Sequence, residues 1–304
     1  MPEMTKTKHT SRAKGTKLEY TFKSDVLFKM LFREYQHLLK RLIAVLLGIP
    51  LDSISHFHMT NTEMPPEEIG KKFCRLDINM VVDDKRVNLE IQVEDEGNYP
   101  ERALFHFARV YSASLPAGND YNELPRTIII SIIDFELFEC EEVHSEFQVL
   151  EVKRHTPLSD KCGLHFFELP KMSAVESIDP NNEKDLWLAL FNAETEEELE
   201  ELSRNGGTFM GEAIKAYHGI TATEEFKNLE WLRAKTRHDE AQALSNARKK
   251  GAEAERTKFL GVIDALIGEK DAVIEEKNTT IEEKNAENAE LRAQLEMLRA
   301  QRSQ

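Results

Sequence analysis

The architecture of this chain can be read from CRLDINMVVDDKRVNLEIQV, residues 74–93. Cys74, Leu76, Ile78, Met80 and Val82 share one side of its first half. Val87, Leu89, Ile91 and Val93 share one side of its second half, and Asp83-Asp84-Lys85-Arg86 lies between. Alternation with a period of two on both sides of a polar break predicts an antiparallel hairpin with one buried face. A turn centred on Asp84-Lys85 sets Asn79 against Glu90 and Asp77 against Gln92. All four side chains then point away from the apolar side, because side chains alternate along a strand. Asp77 and Glu90 become diagonal neighbours, roughly 5–8 Å apart at Cβ. Two carboxylates at that reach can share a hard cation, and Mg2+ favours one or two carboxylates completed by waters and phosphate oxygens. Such an ion activates water and stabilises the leaving oxygen of a phosphodiester. Acids are also common on the solvent side of any hairpin, so the pair alone does not decide the chemistry.

Upstream, Leu27, Leu31, Tyr35, Leu38, Leu42 and Val45 recur at helical steps. Ser24 is the expected N-cap, Asp25 lies in the first turn, and Gly48-Ile49-Pro50 ends the helix. Downstream, residues 101–115 predict a helix with Leu104, Ala108, Tyr111 and Leu115 on one side. Arg102, His106 and Arg109 fall at i, i+4 and i+7 and form a basic stripe suited to backbone phosphates. Thr127–Ile133 (TIIISII) reads as a central strand buried on both faces. Phe147–Val152 and Leu164–Leu169 read as further strands. The alternation of strands and helices predicts an α/β domain.

Five short segments occur in a fixed order: SDVLFK at 24–29, RLDI at 75–78, LEIQ at 89–92, RALF at 102–105 and GNDY at 118–121. In them the chain, over about residues 18–172, resembles the bacterial Rpn group. These are recombination-promoting nucleases, also described as PD-(D/E)XK nuclease family transposases. The resemblance implies a restriction-endonuclease-like fold, a mixed sheet flanked by helices. It implies a magnesium-dependent DNA endonuclease that hydrolyses phosphodiester bonds in recombination or mobile-element processes. On that basis Asp77 and Glu90 bind the metal, and Asp25 completes the acidic site. Gln92 stands where the general motif carries lysine; it can hold a water by hydrogen bonds but brings no charge. Lys29, Lys72 or Arg102 would then supply the cation, and the same residues with His106 and Arg109 are the candidates for contact with DNA. The alternative is a decayed domain that grips DNA without cutting it, or an interaction protein dominated by its C-terminal coiled coil.

Around this domain the sequence divides further. Residues 1–17 hold five bases against Glu3 alone and almost nothing apolar, which predicts a disordered basic tail. Residues 18–175 form the nuclease-like domain, 176–255 a helical region and 256–304 a coiled coil. In the last segment one heptad position takes Leu260, Ile267, Ile274, Ile281, Asn288 and Leu295. The other takes Ile263, Lys270, Lys277, Lys284, Leu291 and Leu298. Three seam lysines weaken the coil, Asn288 favours a two-stranded register, and a homo-oligomer is expected. The run ETEEELEE at 194–201 reads as a solvated helix face.

The chain of 304 residues carries a net charge of −15. That excludes a protein that coats nucleic acid through a basic surface overall. It leaves local contact through the tail, the arginine stripe and a metal. The longest apolar run, Leu42–Leu51, is about half of what spans a bilayer, so no membrane association is expected. Three cysteines without paired spacing argue against a disulfide framework and a zinc site, and fit a reducing cytoplasm.

Overall fold

The computed structural model describes residues 15–64, 74–75, 77–115, 118–173 and 175–302. Lys72, Leu76 and residues 1–14 lie outside the described residues. The chain runs α1 (Asp25–Glu34), α2 (Gln36–Leu46), β1 (Phe57–Thr60), β2 (Glu63–Met64), β3 (Cys74–Arg75), β4 (Ile78–Val82) and β5 (Lys85–Gln92). It continues α3 (Tyr99–Ser112), β6 (Thr127–Ile133), β7 (His144–Phe147), β8 (Cys162–Glu168), α4 (Glu183–Asn192), α5 (Glu196–Asn205), α6 (Gly207–Thr221) and α7 (Glu224–Arg302). Six strands form a mixed sheet in the order β1-β4-β5-β6-β8-β7, and β2 and β3 form a separate antiparallel pair. β1 and β4 pair antiparallel, as do β4 and β5; β5-β6 and β6-β8 are parallel, and β7 returns antiparallel. α3 is therefore the crossover that joins two parallel neighbours.

The apolar residues of β5, Val87, Leu89 and Ile91, face a core shared with α1, α2, α4, α6 and the start of α7 at Phe226. Isoleucines 128, 130 and 132 of β6 face the same way. The other face of the sheet is covered by α3, where Tyr99 and Ala103 meet Ile133, Leu164 and Phe166. β6 lies in mid-sheet between two parallel neighbours, which is why every residue of TIIISII is buried. α4, α5 and α6 contribute to the same core as α1 and α2, and the compact unit that contains them extends to Glu230. A second unit begins at Trp231 within α7.

Several expectations need correction. The hairpin closes one residue earlier, with Val82 opposite Lys85 and Asp83-Asp84 as the turn. Asp83 takes a left-handed backbone (φ 53°), which Asp tolerates, and its Oδ1 accepts the N–H groups of Ser55 and His56. Asn79 therefore faces Asn88, and the register leads on to Asp77 opposite Glu90. The first helix is broken at Tyr35 into α1 and α2, although Ser24 caps it as expected, its hydroxyl accepting the Leu27 N–H. β7 ends at Phe147, so residues 148–152 are not a strand. Thr16 and Lys17 are not loose: Thr16 donates its N–H to Glu197, and Lys17 forms a bridge with Thr195. The acid run, in contrast, falls on a helix as read: it opens α5, whose Thr195 and Glu198 form a reciprocal capping box.

Candidate active site

The polar side of β5 is not its solvent side. β5 is an interior strand, and α3 lies over the face that carries Asn88 and Glu90. These two residues and His106 are 0%, 3% and 6% exposed. The buried stripe of α3 is Tyr99, Ala103, His106 and Val110, while Leu104 and Ala108 face solvent, opposite to expectation. His106 can occupy the buried side because it finds a polar partner there: its Nδ1 hydrogen-bonds Glu90 Oε1. Asn88 Nδ2 donates to the same oxygen at 2.8 Å. The phenol of Tyr99 adjoins this group; burial, and then the charge of Glu90, push its pKa above the ordinary range.

Asp77 is half-buried and precedes β4 by one residue. Its Oδ2 accepts the Ile91 N–H at 3.2 Å, which ties it to the end of β5. Its Oδ1 meets Lys29 Nζ at 2.9 Å. The same ammonium reaches Asp25 Oδ1 at 2.6 Å, one turn back on α1. Asp25 and Lys29 meet because residues four apart on a helix are neighbours. Burial pushes the Asp77 carboxyl up to about 6; Lys29 opposes this, while Glu90 and Asp25 push the same way as burial. Lys29 therefore bridges Asp25 and Asp77, and Glu90 lies close enough to act on the Asp77 carboxyl.

The sequence candidates thus separate. Asp25, Asp77 and Glu90 are brought together, with Lys29 among them rather than on an outer basic surface. His106 leaves the arginine stripe for the site; Arg102 and Arg109 are half-buried on the flank of α3. Gln92, half-buried, turns its amide nitrogen to the Glu94 carbonyl at 2.8 Å. Asn88 was not singled out by the sequence. The signal for it was the polar run Asn88, Glu90, Gln92 at alternate positions of a strand that continues into a buried crossover.

These side chains suit a hard divalent cation by chemistry: they are carboxylate oxygens with an excess of negative charge, and burial, with Glu90 and Asp25 adding to it, makes Asp77 resist ionisation. Among the described residues no group of three or more His, Cys, Asp or Glu side chains is already drawn into a metal-binding arrangement. Asp77 and Glu90 are the residues that would hold the ion, with Lys29 beside them.

The raised Asp77 pKa has a consequence for stability. In the fold the carboxyl keeps its proton up to about pH 6, whereas the unfolded chain releases it near the ordinary value of 3.8. Ionised Asp77 therefore costs folding free energy above about pH 6, and the cost disappears as the pH falls through the ordinary carboxylate range. Asp77→Asn, measured without divalent metal, should raise stability by about 1–3 kcal/mol at pH 7.5. The gain should fade toward pH 4 in urea unfolding. A D77N protein no more stable than the wild type at pH 7.5 contradicts this.

The mixed sheet thus carries one acid just before β4, a second on the neighbouring β5 and a third on α1. A family model described as PD-(D/E)XK nuclease family transposase matches residues 22–247, and the chain belongs to this family. The match runs through α1, the whole sheet and the first part of α7. No curated protein matches the chain. No helix among the described residues is long and apolar enough to cross a membrane.

Proposed function

We propose that the protein is a Mg2+-dependent DNA endonuclease of the reducing cytoplasm, acting in recombination or mobile-element processes. The observation that carries this reading is that Lys29 bridges Asp25 and Asp77 just before β4, with Glu90 of β5 close enough to act on the Asp77 carboxyl. When bound, the cation would lower the pKa of a water and stabilise charge on the leaving oxygen. The chain's own residues do the rest. Asp77 and Glu90 supply oxygens, Ile91 N–H fixes one side of Asp77, and Asp25 holds Lys29 in place. Lys29 stands in for the motif lysine that Gln92 lacks, offering its ammonium to a phosphate oxygen or the attacking water. Arg102 and Arg109, with Lys72 and the basic tail, contact backbone phosphates, so binding weakens with salt. Nicking of supercoiled plasmid by purified protein, dependent on added Mg2+, tests this reading.

One observation favours a second reading. Gln92 donates to Glu94 rather than into the acidic group. On that reading the domain binds DNA without cutting it, and salt-dependent binding with no cleavage in any divalent metal would establish it.

The partner of α7 is a second copy of the chain. Leu260, Ile267, Ile274, Ile281 and Leu295 recur every seven residues or multiples of seven, and all five are about half exposed along the helix. Pairing would cover this seam, while the lysines at 270, 277 and 284 keep it weak. The full chain should run as a dimer by light scattering, and a chain ending at residue 255 as a monomer. A monomeric full-length chain contradicts the proposal.

A further inference from the structure

We propose that His106 and Asn88 are positioning residues that make Glu90 a one-oxygen ligand, and so set the site's preference for a small six-coordinate dication over Ca2+. This rests on the metal-site reading above and goes beyond it. Glu90 Oε1 takes two donors at once, Asn88 Nδ2 at 2.8 Å and His106 Nδ1. All three side chains are buried, so water does not compete for that oxygen. Asn88 lies two residues back on the same face of β5, and His106 comes down from α3 on the other side. Together they fix the carboxylate plane and engage Oε1, which leaves a metal bond to Oε2. Asp77 is fixed differently, with one partner on each oxygen: Oδ2 accepts the Ile91 N–H and Oδ1 meets Lys29.

Once a dication displaces Lys29 from Asp77 Oδ1, two carboxylates that each offer one oxygen make a poor Ca2+ site. Ca2+ takes six to eight oxygens and commonly a bidentate carboxylate, while Mg2+ keeps several waters and needs one or two carboxylate oxygens in octahedral array. Freeing Oε1 would let Glu90 swing to bidentate contact, which the larger ion exploits and the smaller does not. Partners of metal ligands typically change metal affinity 10–100-fold when removed.

The test is calorimetric titration of the full-length wild type, His106→Ala and His106→Asn with MnCl2 and CaCl2 at pH 7.5, without DNA. An asparagine side chain carries its amide nitrogen on Cγ, as the ring carries Nδ1, and so can still donate to Oε1. Wild type should bind Mn2+ more tightly than Ca2+. In His106→Ala the ratio of the two dissociation constants should move toward Ca2+ by about tenfold, and His106→Asn should restore most of it. Asn88→Ala removes the other donor and carries the same test if His106→Ala does not fold. An unchanged ratio in the donor-lacking variants overturns this proposal alone. So does a ratio as altered in H106N as in H106A, when both proteins unfold at the wild-type temperature. Wild type that binds neither ion overturns the metal-site reading and this proposal with it.

Discussion

Replacing Glu90 by Gln is expected to reduce Mg2+-dependent plasmid cleavage by about 10³-fold or more, and Asp77→Ala to do the same. The expectation follows from what each carboxylate contributes. A dication in a partly buried site needs anionic oxygens, and removal of one group that stabilises developing charge already costs about 10²–10³-fold. Losing a ligand also lowers occupancy. The Glu90→Gln change keeps the volume of the side chain and an amide oxygen for Asn88 and His106 to hold. The loss would therefore report charge rather than collapse of the fold. Because both acids serve one ion, the double variant should be scarcely worse than either single one. Nicking rates under Mg2+ saturation, with unfolding temperatures recorded for each protein, check this. Cleavage by either variant at the wild-type rate would remove the site from the chemistry.

Lys29→Met should follow close behind, and its two parts run in opposite directions. Lys29 is the cation held against both Asp25 and Asp77, at 2.6 and 2.9 Å. A like charge at such range repels an incoming dication, so its removal should tighten Mn2+ binding several-fold at pH 8, most clearly at low salt. Cleavage should nevertheless fall by about 10²-fold, since the ammonium no longer assists the phosphate or the attacking water. The pH dependence should move as well. Lys29 lowers the pKa of Asp77, which stands near 6 with it present. Without Lys29 the carboxyl holds its proton to higher pH, so the midpoint for Mn2+ binding shifts upward. Lys29→Arg should restore part of the cleavage. Weaker Mn2+ binding at pH 8, or undiminished cleavage by the K29M protein, would assign Lys29 a purely structural part.

The fold was legible where periodicity was unambiguous. The alternation in residues 78–92 and the unbroken run at 127–133 both predicted strands, and the runs lie in the sheet as an antiparallel hairpin and a buried centre. The turn was less legible, because four polar residues between the strands allow two registers. Backbone donors of Ser55 and His56, far away in sequence, select the one closing at Asp83-Asp84. The faces of α3 misled for a related reason. Leu104 and Ala108 look like the buried side by hydropathy, but the helix turns His106 inward to meet Glu90. A buried polar pair is visible only when both elements are in place. Lys29 shows the same limit: its spacing from Asp25 was readable on the helix, its contact with Asp77 was not.

All of the proposed chemistry depends on Asp77 and Glu90 holding one divalent cation between them. Anomalous diffraction from crystals of the full chain soaked in MnCl2 would locate that ion. A single Mn2+ peak bonded to one oxygen of Asp77 and to Oε2 of Glu90 is the predicted result. Crystals at full Mn2+ occupancy elsewhere, with Lys29 still on Asp77 and no peak between the two acids, would contradict it.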